Sequence, residues 1–179
     1  PFALGTDTAG SGRIPAGFNG LVGLKPTPGR VSTAGVVPAC RTLDCVSVFA
    51  HTVDDAARVL AHIEGGDPAD AFSDFVPGAA RLPPRLPPRL RLGVPKAADV
   101  DAASGYAAAW QLAQAQACEL GHELVELDFG PLHEVAALLY EGPWVAERHA
   151  ACRSIFDHQP EAMDGTVRRV IARAAAFDA

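Results

Sequence analysis

The stretch Gly5-Thr6-Asp7-Thr8-Ala9-Gly10-Ser11-Gly12-Arg13-Ile14-Pro15-Ala16 leads directly out of the apolar run Pro1-Phe2-Ala3-Leu4. It constrains the chain more than any other segment. Gly10 and Gly12 flank a single serine, so the backbone there can turn sharply and approach a ligand closely. Consecutive N–H groups in such a turn can converge on one negatively charged oxygen. A serine hydroxyl is a weak nucleophile at neutral pH, and it needs a nearby base and donors aimed at the oxyanion it creates. The turn is suited to supply the donors. No Gly-Lys-Ser/Thr follows, so it is not a P-loop. Gly5, Gly10 and Gly12 have the wrong spacing for a dinucleotide fingerprint. Ala9 stands where a G-x-S-x-G elbow would need glycine. From the residues alone, two readings stay open: an oxyanion-binding turn with a candidate nucleophile, and a solvent-exposed Gly/Ser turn.

The rest of the chain reads as α/β. Apolar residues make up 49% of the 179 and charged residues 20%, which allows one ordinary domain with a buried core. Short apolar runs at 21–24, 31–33 and 35–38 read as short strands and turns. Thr52-Val53-Asp54-Asp55 opens the clearest helix with a capping pattern and an acidic first turn. Val53, Ala56, Ala57, Leu60 and Ala61 carry that helix at helical spacing, and Gly65-Gly66 is its expected stop. Residues 67–80 read as a loop. The RLPP repeat of 81–90 reads as an extended connector rather than a docking motif. A strand over 90–94, a helix over about 100–120, a strand over 123–127 and helices over about 132–157 and 161–177 follow. Strands alternating with helices favour an α/β fold.

Several function classes are excluded or demoted. A net charge of −6 without a clustered basic face argues against nucleic acid. No run of 18 apolar residues suggests a membrane-spanning helix, and no secretory signal is visible, so a cytoplasmic setting is expected. Cys40, Cys45, Cys118 and Cys152 form no C-x-x-C pair. Cys40-x4-Cys45 followed by His51 has the wrong spacing for a common structural zinc site, so reduced thiols and no metal are expected. His51 and His62 flank or lie in the Thr52 helix and read as surface histidines.

Ordered blocks then carry a resemblance. Gly5 to Ala16, Phe18-Asn19-Gly20-Leu21-Val22-Gly23-Leu24-Lys25-Pro26-Thr27, Leu43-Asp44, Thr52 to Ala57 and Gly65-Gly66-Asp67-Pro68-Ala69-Asp70 resemble, in order, the blocks of the amidase signature family. The match is clear over residues 1 to about 72. These are serine hydrolases that cleave carboxamides with a Ser–Ser–Lys triad. The resemblance implies a mixed β-sheet core covered by helices on both faces. It implies a partial domain over 1–179: nucleophile loop and core blocks at 1–72, a Pro-rich connector at 73–89, and further helices and strands with a substrate-binding segment at 90–179. It makes Ser11 the acyl-forming nucleophile and the backbone amides of Thr8, Ala9, Gly10 and Ser11 the oxyanion hole, with Asp7 and Arg13 bracing the loop. The family's proton-relay serine and lysine lie upstream of this motif, before Pro1. The chain is therefore expected to be a fragment with an incomplete triad, inactive in isolation. Lys25 belongs to the GLKPT block and is expected to be structural.

Cys45 stands where most of the family has glutamine, and Ser47-Val48 where it has Gly-Pro. With Ala9 and Val37-Pro38-Ala39-Cys40-Arg41, these resemble the branch that acts on allophanate (N-carboxyurea) in urea breakdown. Tyr140-Glu141-Gly142-Pro143-Trp144-Val145-Ala146-Glu147-Arg148 resembles that branch's segment in which a tyrosine and an arginine hold the small anion. In one straight helix, eight residues rise ~12 Å and turn the side chain by roughly 80°. Pro143 should break the helix and could bring Tyr140 and Arg148 to one pocket. The residues alone also fit an amphipathic helix with a half-buried Tyr140 and a surface Arg148. The resemblance implies a small amide as substrate, no cofactor, no nucleic-acid or membrane partner, and a homodimer at full length. Alternatives are another amidase, such as the amidase component of a glutamyl-tRNA amidotransferase, and a non-catalytic piece.

Overall fold

The computed structural model describes residues 1–74, 87–100 and 105–177. Its contacts group the chain otherwise than by the stretches 1–72, 73–89 and 90–179. One unit joins Pro1–Arg81 to Leu138–Ala179, and the other is Leu82–Ala137. Most of the expected Pro-rich connector lies outside the described residues.

The first unit is built on a three-stranded antiparallel sheet. Strand β1 (Phe2–Asp7) and strand β2 (Val22–Leu24) both pair with a central β3 (Cys45–Ala50), in the order β1-β3-β2. The register sets Asp7 opposite Cys45, so the chain leaves β1 into the Gly5–Ala16 turn beside the start of β3. A short helix α1 (Arg13–Phe18) follows the turn. Pro15 sits in its first turn, where a missing N–H costs nothing, and Asn19 Nδ2 donates to Pro15 O at 2.8 Å at its end. Gly23 of β2 lies under α1. A Cβ there would stand 2.8 Å from Ala16 Cβ and from Gly12 O, and 2.9 Å from Arg13 Cα.

Helix α2 (Val53–Ile63) begins as its sequence dictates, with the Thr52 side chain accepting from Asp55 N at 3.1 Å. Its inner face joins Val48, Ala50 and Ala56 to Val22, Leu24, Val59 and Ile63 in one apolar cluster. The helix ends at Ile63 with Glu64 as its C-cap, directly before the expected Gly65-Gly66 stop. Glu64 is already extended, with its carboxylate 2.6 Å from Arg30 Nε, so a tertiary ion pair holds the C-cap. The strands expected at 31–33 and 35–38 do not form. That segment runs as turns, with Gly29 and Gly35 at φ 80° and 81°. Asp70 accepts from Thr33 N and Oγ1, and Asp67 from Ser32 Oγ, so side-chain carboxylates replace a ladder there.

The second unit contains β4 (Arg91–Pro95), α3 (Tyr106–Glu119) and β5 (Glu123–Leu127), with β4 and β5 parallel and in register from Arg91↔Glu123 to Pro95↔Leu127. This is the expected strand–helix–strand order, since parallel neighbours need a crossover of that length. The helical stretch over 132–157 is broken at Pro143, as expected. Helix α4 (Gly130–Glu141) ends two residues before Pro143, and α5 (Trp144–His158) starts just after it. Helix α6 (Gly165–Ala172) follows, capped by Asp164 through Thr166 N and Val167 N. Helices α5 and α6 complete the first unit.

The close approach at Gly23 gives a test of the α1–β2 contact. Gly23→Ala should cost about 1–3 kcal/mol, because the backbone of Gly12 and Arg13 has to move. Gly17→Ala, where nothing lies within 4 Å, should stay within about 1 kcal/mol of the parent and on the stabilising side. Urea unfolding of both variants checks the pair; equal effects would refute the packing described.

Candidate active site

The turn after β1 is organised by one carboxylate. Asp7 is fully buried. Its Oδ1 accepts from Gly10 N at 2.7 Å, and its Oδ2 from Gly12 N at 3.1 Å and Arg13 N at 3.2 Å. The Arg13 guanidinium closes on both oxygens, Nε at 3.0 Å and Nη2 at 3.2 Å. Burial alone would raise the Asp7 pKa. The Arg13 fork and the three amides outweigh it and hold the group at about 2, against an ordinary 3.8. Gly12 is required by the floor of the loop: a Cβ there would meet Ser47 Cβ at 2.9 Å and Asp7 Cβ at 3.2 Å. Gly10 has φ 135°, in the region that favours glycine.

Ser11 sits at the exposed crest of this loop. One of the four amides expected to form the oxyanion hole already has a partner. The Gly10 amide is spent on Asp7, because the buried carboxylate requires it, so the remaining candidate donors are the amides of Thr8, Ala9 and Ser11. Lys25 Nζ lies 3.1 Å from Cys45 Sγ, in keeping with a structural lysine. His51 and His62 are exposed.

The Thr8 hydroxyl donates to Asp44 Oδ1. Asp44, itself buried, also accepts from Ala39 N at 2.9 Å and Cys40 N at 3.1 Å, so it shapes the loop 39–44 and ties it to the serine turn. From the far side Glu147 of α5 accepts from Thr42 N at 3.0 Å and Thr42 Oγ1 at 2.7 Å, with Cys40 Sγ at 3.4 Å. Burial would raise the Glu147 pKa, but these donors lower it below the ordinary value. The Cys40 thiol is pushed up to about 11 by burial and by Glu147, so it is inert as a nucleophile.

Tyr140 and Arg148 do come together. Pro143 separates α4 from α5, and the Arg148 guanidinium carbon lies 4.8 Å from the centre of the Tyr140 ring, within cation–π reach. Both line a cavity of about 380 Å³ walled by Val37, Pro38, Ala39 and apolar residues of α5 and α6. Arg148 Nε is buried and has no hydrogen-bond partner among the described residues. Among the described residues no acidic side chain lines the cavity, and neither does Ser11. Sequence reasoning missed Asp44 and Glu147 as functional supports. The contacts that tie them to the serine turn and to Thr42 lie 36 and 105 residues away in sequence.

Comparison with known proteins places these features. A family model described as amidase matches residues 1–176. The urea amidolyase of Saccharomyces cerevisiae is 41% identical over 182 residues, covering 100% of this chain and 10% of that protein. The amidotransferase of Thermus thermophilus that acts on glutamyl-tRNA(Gln) has a component 39% identical over 148 residues, covering 78% of this chain and 30% of that component. The structure of Kluyveromyces lactis allophanate hydrolase superposes with a TM-score of 0.89 at 41% identity, over 100% of this chain and 29% of that one. The chain thus spans a little under a third of the allophanate hydrolase and a tenth of the yeast urea amidolyase.

The Asp7 cluster predicts a pH dependence with a definite sign. A carboxylate whose folded pKa is depressed stabilises above its unfolded value and loses that stability as pH falls through the folded one. For Asp7 the contribution is complete above about pH 4 and disappears as pH falls toward about 2. Arg13 is half exposed and therefore screened, so the shift corresponds to no more than about 2 kcal/mol. Asp7→Asn should be less stable than the parent by about that much at pH 7, and the gap should shrink at pH 2. A gap that does not change with pH in urea titrations would contradict this.

Proposed function

The chain belongs to the amidase family, and we propose that it serves an amide hydrolase acting on allophanate, with Ser11 as the acyl-forming nucleophile. The observation that carries the substrate assignment is the Arg148 guanidinium lining an otherwise apolar cavity, with the Tyr140 ring against it and its buried Nε without a partner among the described residues. A cation lining an apolar cavity favours an anionic ligand, and a carboxylate can take the guanidinium fork. Allophanate is small, planar and carries one carboxylate. Glutamine, the substrate class of the amidotransferase reading, carries an ammonium as well, and the described cavity lining offers no acidic residue to meet it.

In this reading Arg148 holds the carboxylate and Tyr140 covers the urea-like body. The Ser11 Oγ forms a bond to the terminal amide carbonyl, and the amides of Thr8, Ala9 and Ser11 receive the oxyanion. The C–N bond to the terminal nitrogen then breaks. The serine proton, carried by the family's serine–lysine relay, leaves with it as part of ammonia. Water adds to the acyl carbon and releases N-carboxycarbamate, restoring Ser11. A cytoplasmic homodimer with no cofactor belongs to the same proposal.

Ammonia release by the full-length protein tests it. Allophanate should be hydrolysed and glutamine should not; the reverse pattern would overturn the assignment. Ser11→Ala should lower turnover of allophanate by on the order of 10⁴-fold or more while leaving the unfolding transition in place. Arg148→Ala should lower kcat/KM by about 100-fold, chiefly through KM, because the carboxylate is gripped equally in ground and transition states. An Arg148→Ala variant with unchanged KM would remove the anion site from the account.

A further inference from the structure

The serine turn and the Arg148 helix are joined by one short segment, and carboxylates grip it from both sides. On the nucleophile side, Asp44 closes the loop 39–44 through the amides of Ala39 and Cys40 and receives the Thr8 hydroxyl. On the other side, Glu147 receives the Thr42 amide and hydroxyl at 3.0 and 2.7 Å, with the Cys40 thiol at 3.4 Å. Glu147 immediately precedes Arg148 on α5. It does not line the cavity, whereas Pro38 and Ala39, at the start of the same loop, do. The chemistry proposed above makes no use of Glu147. Yet it is a half-buried carboxylate given three donors from a loop 105 to 107 residues away in sequence.

We propose that Glu147 is a positioning residue: through the loop 39–44 it fixes where Arg148 stands relative to the Ser11 turn. The inference rests on the reading of Arg148 as the carboxylate anchor. Two carboxylate oxygens can accept from all three donors at once. A glutamine in the same place offers one oxygen, and its NH₂ faces the Thr42 N–H. Glu147→Gln therefore loosens the link without emptying the space. Because Arg148 holds substrate in ground and transition states alike, a loosened anchor appears in KM more than in kcat. Asp44 and Thr8 then transmit the same loosening to the serine turn.

The experiment uses the full-length protein. For Glu147→Gln, KM for allophanate should rise about tenfold, with kcat changed less than about threefold. Thr42→Val, which removes one hydroxyl, should move KM the same way, and Thr42→Ser should restore it. Amide hydrogen exchange should quicken over 39–44 and over 8–13 in Glu147→Gln. Combined with Thr8→Val, the effects on kcat/KM should be non-additive, since both act through one loop. If Glu147→Gln lowers the unfolding midpoint but leaves KM and exchange over 8–13 unchanged, Glu147 is merely a structural contact and the proposal fails. If Glu147→Gln does not fold, Thr42→Val and Thr42→Ser read the same link. If the parent enzyme ignores allophanate, the substrate assignment fails, and exchange over 8–13 still decides whether the loop couples the two elements.

Discussion

The buried Asp7 carboxylate is the interaction on which the rest of the site depends. A lone carboxylate in that position would be too costly to keep charged. It is kept charged by three backbone amides and the Arg13 fork. Those same bonds force residues 8–12 into one closed turn. The conformation of the serine loop therefore follows from the electrostatics of a buried carboxylate, and one of the amides expected to face substrate donates to it.

From that turn outward, the first unit repeats the same device. Asp44 shapes the loop 39–44, Asp70 holds Thr33, and Glu64 ends α2 against Arg30. Each is an acidic side chain pairing donors that no strand or helix would otherwise satisfy. The apolar cluster beneath is small, resting on Val48, Ala50 and Ala56. The irregular segments that carry the site are thus positioned largely by hydrogen bonds to carboxylates. Packing defines the sheet and α2; polar satisfaction defines the loops.

What could be read from the sequence follows from how local each cause is. The Thr52 cap and the break at Pro143 depend on residues a few positions apart, and both stand in the structure. The α/β character followed from periodicity, and the family from ordered blocks, with the family match extending across residues 1–176. The meeting of Tyr140 and Arg148 was legible through the family resemblance, with Pro143 as the feature that permits it. The strands expected at 31–38 failed because apolar runs say nothing about Asp67 and Asp70 waiting to take their donors. The central strand β3 was hidden among Cys45, Ser47 and the motif residues around them. The links from Asp44 to Thr8 and from Glu147 to Thr42 were invisible for the same reason: they join residues distant in sequence.

The central claim is that Ser11 forms an acyl bond with an amide substrate whose carboxylate is held by Arg148. Its most direct test is mass spectrometry of the full-length protein quenched with acid during steady-state turnover of allophanate. The account predicts an acyl adduct on the peptide containing Ser11, absent when Arg148 is replaced by alanine at the same substrate concentration. Turnover with an adduct on any other residue, or with Ser11 replaced by alanine, would contradict it.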